Sequence, residues 1–195
     1  RVLFRSGGTA YGDKAGTAGN VTDQGGAVAL GWVTAKGNRA VALGGINTTS
    51  ATGDNSFATS GGVANGDNAS ALNGSQATGD NTFAAVGGTA SADSAISIGN
   101  GSLANQTNTV ALGKSTNATG ASAIAIGDAV TATSTAATSI GSNGTKATAY
   151  GATAIGRNAK VTAEKSVALG FDLNVVNSGS TLVGYNSNIL ANQAT

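Results

Sequence analysis

A six-residue phrase recurs through this chain and restricts it to one kind of architecture. Ser122-Ala123-Ile124-Ala125-Ile126-Gly127 reads small, small, Ile, small, Ile, Gly. The same phrase stands as Asn-Thr-Val-Ala-Leu-Gly at 108–113 and as Lys-Ser-Val-Ala-Leu-Gly at 165–170. Earlier copies are Ala27-Val28-Ala29-Leu30-Gly31 and Ala40-Val41-Ala42-Leu43-Gly44. The closing position falls at residues 31, 44, 60, 73, 86, 99, 113, 127, 141, 156, 170 and 184, a period of 13–16 residues. A unit that short leaves no room for a helix, and it fits a coil of two short strands and two turns.

Alternation with period 2 predicts a strand with two unlike faces. One face carries Ala29, Ala42, Ala111, Ala125 and Ala168. The other carries Val28, Leu30, Val41, Leu43, Phe57, Leu72, Phe83, Ile96, Ile98, Val110, Leu112, Ile124, Ile126, Ile140, Ile155, Val167, Leu169 and Val183. The return strands are Ala/Thr/Gly-rich and offer no second set of large side chains. A roll closed by such strands holds only small residues at close-packed density. The alanines are therefore expected inside and the larger set outside, where so long an apolar stripe needs covering by other copies of the chain. The opposite arrangement, a fat monomeric solenoid with the large residues inside, lacks the side chains to fill its second wall. Around residues 51–99 the phrase degrades: Phe57 and Phe83 take the first apolar slot, while Thr59 and Ala85 shrink the second. That is the pattern of packing compensated at constant volume.

A second motif marks a corner. Ala51-Thr-Gly-Asp-Asn, Ala64-Asn-Gly-Asp-Asn and Ala77-Thr-Gly-Asp-Asn precede Ala90-Ser-Ala-Asp-Ser. Asp54, Asp67, Asp80 and Asp93 recur every 13 residues, so stacked coils place them in a row. Such a ladder reads as turn chemistry, because Asp bonds its own backbone and Gly supplies positive φ. The alternative is a surface that binds cations or a basic partner.

Composition removes whole classes of function. The 195 residues contain 31 Gly and no Pro, Cys, Met or His, with 4% aromatic and 10% charged residues. Absence of His removes the commonest general base and metal ligand, and absence of Cys removes disulfides and thiolate sites. Nine scattered acidic residues are what remains for acid–base chemistry, so no enzyme, cofactor or metal is expected. The net charge of +1 gives no pull toward nucleic acid or an anionic membrane. No run of about 18 apolar residues is present to insert into a bilayer as a helix. Matches to Asn-x-Ser/Thr, as at Asn68 and Asn117, arise by chance in a chain this rich in Asn, Ser and Thr.

The phrase resembles the Asn-Ser-Val-Ala-Ile-Gly repeat of YadA-like heads in trimeric autotransporter adhesins, over roughly residues 27–184. The resemblance implies an all-β, left-handed parallel β-roll of about twelve coils, assembled as a parallel homotrimer with the outward stripe on the three-fold axis. At about 4.8 Å per coil the rod would be roughly 55–60 Å long. It implies the head of a Gram-negative surface adhesin, anchored to the outer membrane through signal, stalk and barrel segments not found in these residues. The implied partners are host matrix proteins such as collagen, fibronectin or laminin.

Three segments complete the expected organisation. Residues 1–26 form an irregular N-terminal cap, with Val2-Leu3-Phe4 as a candidate cap strand. Residues 27–184 are head repeats, with Trp32 a packing residue at an edge and a longer loop near 45–49. Residues 185–195 begin the exit from the roll. A rival reading is an ice-binding β-solenoid, suggested by Thr131, Thr133 and Thr135. Such a face needs the same Thr pair on successive coils, and the pair occurs mainly once.

Overall fold

A computed structural model of the chain describes residues 9–10, 26–31, 33–44 and 48–189. The candidate cap strand at 2–4 and Trp32 lie outside the described residues. The chain divides into two compact units, residues 1–98 and 99–195. Each is a stack of parallel coils, together about eleven turns rather than twelve, and no helix occurs among the described residues.

Up to Val161 each coil alternates a strand made from the repeated phrase with a shorter return strand, and in the last two the pair merges into Val167–Val175 and Thr181–Ile189. Phrase strands pair only with phrase strands and return strands mostly with return strands, always parallel. In the first unit Val41 stands in register with Phe57 and Ala42 with Ala58, while Ala51 pairs with Ala64 on the return side. In the second unit Ile124, Ala125 and Ile126 pair with Thr138, Ser139 and Ile140. Parallel pairing at a fixed coil length stacks like residue on like, and this converts a sequence repeat into columns of side chains.

The interior is built from those columns, and they are almost all alanine. Ala42, Ala58, Ala71 and Ala84 on phrase strands face Ala51, Ala64, Ala77 and Ala90 on return strands, all with no exposed surface. In the second unit Ala111, Ala125, Ala154 and Ala168 face Ala118, Ala132 and Ala147 in the same condition. The expected placement of the alanines holds, except that Ala29 in the first described coil is only half-buried. A monomeric roll with the large residues inside is excluded by this packing. The core thickens toward the end of the second unit, where Val130, Val161, Leu173 and Val175 take inward positions.

The two corners of a coil differ. One is constant: the fourth residue after the end of each return strand lies in the left-handed region. Asn55, Asn68 and Asn81 hold it at φ 55–56°, and Ser94, Asn108 and Ser122 at 56–60°. This is the first position of the phrase. Asn is the non-glycine residue that best tolerates that conformation, which explains its preference there. The next residue turns inward and is Ala or a hydroxyl residue. The hydroxyls of Ser56, Thr82 and Thr109 each donate to a corner carbonyl three residues back, of Gly53, Gly79 and Gln106, at 2.6–2.7 Å. A buried hydroxyl is thereby satisfied and an orphan carbonyl with it. Among the described residues, Ser139 Oγ and Asn105 Oδ1 are buried without such a partner.

The other corner sets coil length. Where it is tight, Ser60, Asn73 and Val86 occupy the left-handed region at φ 48–56° and the return strand starts three residues on. At Gly113 and Gly127, where the phrase closes on glycine, φ is 124° and 135° and the return strand starts four residues on. That one residue is the difference between the 13- and 14-residue periods. A Cβ on Gly113 would come within 3.0 Å of the Gly127 carbonyl oxygen, so the column requires glycine for space as well as for φ.

The described strands reach beyond the expected head repeats. Thr9–Ala10 pairs in parallel with Thr34–Ala35. Strand Thr181–Ile189 runs unbroken through residue 185 and pairs along its length with Val167–Val175.

Candidate interaction surfaces

The outward residues of the phrase strands form an apolar stripe on each unit. In the first, Val28 and Leu30 are 50% and 44% exposed and Ile96 38%, while Val41, Leu43, Phe57, Leu72, Phe83 and Ile98 are half-buried. The degraded coils interlock. Ser70 stands in register between Phe57 and Phe83, and Leu72 between Thr59 and Ala85. A large residue on one column thus meets a small one on the next coil, and the stripe keeps its volume.

In the second unit one column is apolar throughout: Leu112, Ile126, Ile140, Ile155, Leu169 and Val183. The column beside it changes character, from Val110 and Ile124 to Thr138 and Thr153, then Val167 and Thr181. Beyond the closing glycines a further stack appears that the sequence reading did not find. Phe171 and Tyr185 lie face to face at 5.1 Å with 11° between planes, and the Arg157 guanidinium sits 5.1 Å from the Phe171 ring. The stacking is an offset aromatic pair topped by a cation. Its signal in the sequence was the 14-residue spacing of 157, 171 and 185.

The Asp residues do form a ladder, and the rungs are bonded to one another. Asp54 N–H donates to Asp67 Oδ1 at 2.8 Å, Asp67 N–H to Asp80 at 2.9 Å, and Asp80 N–H to Asp93 at 3.1 Å. Each carboxylate caps an amide of the coil before it. Asn38 is an additional first rung that the sequence motif missed, because Lys36-Gly37-Asn38 replaces Thr-Gly-Asp. Its N–H and side-chain amide donate to the two Asp54 oxygens at 2.8 and 3.0 Å. Those two bonds, the backbone one foremost, hold the Asp54 carboxyl below the usual carboxylate range. Among the described residues no group of three or more acidic side chains converges as a metal site.

The return strands present the other broad face. On the second unit one outward column reads Asn117, Thr131, Lys146, Lys160, Asn174 and Asn188. Two residues on, Thr119, Thr133, Thr148 and Thr162 form a second column, each donating its N–H to the next coil. The neighbours of Thr131 in register are Asn117 and Lys146, so the Thr pair that an ice face needs is not repeated.

Alanine-filled parallel coils with apolar and polar outer faces define a repeat solenoid that works through its surfaces. Residues 35–59, 90–116 and 147–172 match the YadA head domain repeat, which supports a YadA-like head domain. No curated protein matches it.

Proposed function

We propose that the chain is the head of a trimeric surface adhesin on a Gram-negative outer membrane. Three copies run parallel in left-handed rolls, with the apolar stripes meeting on the three-fold axis. The observation that carries this reading is a stripe of Val, Leu, Ile and Phe left outside a core already filled by alanine. Burying half-exposed aliphatic side chains yields roughly 25 cal/mol per Å² of apolar area, so a stripe of this length favours association strongly. Assembly consumes that face, leaving return strands and corners to meet host collagen, fibronectin or laminin.

Those remaining surfaces carry Thr, Asn, Ser, Asp and Lys, so each contact is weak and polar, and affinity comes from repetition. The test is binding to the three immobilised matrix proteins by single outer variants and by a deletion of residues 61–99. Every single variant is expected to bind, and the deletion to bind progressively less. A point variant that erased binding while the assembly stayed intact would mean a localised pocket and overturn the proposal.

A further inference from the structure

The return-strand face of the second unit contains an arrangement that costs stability and is not offset among the described residues. Lys146 and Lys160 stand in direct register on adjacent parallel strands. Strand spacing is about 4.8 Å, so two exposed ammonium groups project side by side from the same face. Like charges facing one another across neighbouring strands repel. Neither ammonium group has an ion pair or hydrogen bond among the described residues. Glu164 and Asp172 lie at the corners beyond the Lys160 strand, and Asp172 is already engaged by Asn158 Nδ2 at 2.5 Å.

Around the pair the chemistry is that of hydroxyl recognition. Thr148 and Thr162 follow the lysine strands on the same face, and their side-chain hydroxyls are not engaged among the described residues. Asn174 and Asn188 continue the lysine column in register. Lys160 and these two amides line an open cleft of about 320 Å³ together with Asn158, Asp172, Leu173 and Asn186. An amide both donates and accepts, and so matches a vicinal pair of sugar hydroxyls.

We infer that this face binds an acidic polysaccharide, with Lys146 and Lys160 bracketing a sulfate or carboxylate and Asn174 and Asn188 taking the hydroxyls of the adjoining sugar. The inference rests on the reading that outer faces bind matrix, and it names a ligand class for that binding. Repetition on every copy of the chain multiplies a weak single contact.

The experiment measures binding of the intact chain to a sulfated octasaccharide from heparin, to inorganic polyphosphate, and to immobilised collagen, fibronectin and laminin. Lys146→Gln with Lys160→Gln, at unchanged molar mass and melting temperature, is expected to weaken octasaccharide binding about tenfold. It should also lower the slope of log affinity against log salt by about two, one per counterion-releasing contact. Asn174→Ala with Asn188→Ala should weaken the octasaccharide and leave polyphosphate unchanged. Equal affinity of wild type for the two polyanions, or indifference to the lysine changes, would overturn the inference. Matrix binding without octasaccharide binding would sink the inference alone. Binding to neither would sink it together with the adhesin reading.

Discussion

Val86 is the residue whose local conformation agrees least with its chemistry. It lies at φ 56° at a tight corner where the neighbouring coils carry Ser60 and Asn73. A β-branched side chain pays for the left-handed region in crowding against its own carbonyl. It is exposed and so gains little burial in return. Val86→Asn should therefore stabilise the protein by about 1 kcal/mol, seen as a melting temperature raised by a few degrees. An unchanged or lowered value would show that the corner takes its stability from the Val side chain. The same conformation, imposed at the first position of the phrase, accounts for Asn55, Asn68, Asn81 and Asn108. The sequence displays those asparagines plainly, but not their reason, because φ is set by how the corner must turn.

At the scale of the coil, the period was legible and the origin of its variation was not. Alternating Ala and Ile announces a strand, and Gly announces its end. The 13- and 14-residue spacings look like noise until the return strand is seen to start three residues after Ser60, Asn73 and Val86 but four after Gly113 and Gly127. The Asp ladder was legible as a column, but its bonding direction and its Asn38 rung depend on which amide each carboxylate meets. The Arg157–Phe171–Tyr185 stack escaped because the residues differ in type and share only their spacing. The ladder carries a pH dependence. The folded state holds the Asp54 carboxyl below its unfolded value, so its stabilising effect is present in full above about pH 4 and is lost as pH falls through the lowered value. Asp54→Asn should melt below wild type at pH 7, and the two curves should converge as pH falls below the lowered value, since the other carboxylates titrate in both. A gap that persisted in acid would assign the difference to shape and not to charge.

For the molecule as a whole, the decisive fact is that the core is mostly alanine, with Val130, Val161, Leu173 and Val175 the larger exceptions in the second unit, while the large residues of the phrase stay outside. Alanine columns with no exposed surface on both walls leave no space inside for the Val, Leu, Ile and Phe of the phrase. A single chain in water would carry that stripe at a standing cost, and the proposed trimer removes it. The measurement that tests this most directly is light scattering on the purified chain, alongside Ile124→Asp with Ile126→Asp. Wild type should have three times the 18.5 kDa mass of one chain. The double variant, which would bury carboxylates from every copy at a cost of several kcal/mol each, should fail to assemble. A folded wild-type chain running at 18.5 kDa would contradict the account.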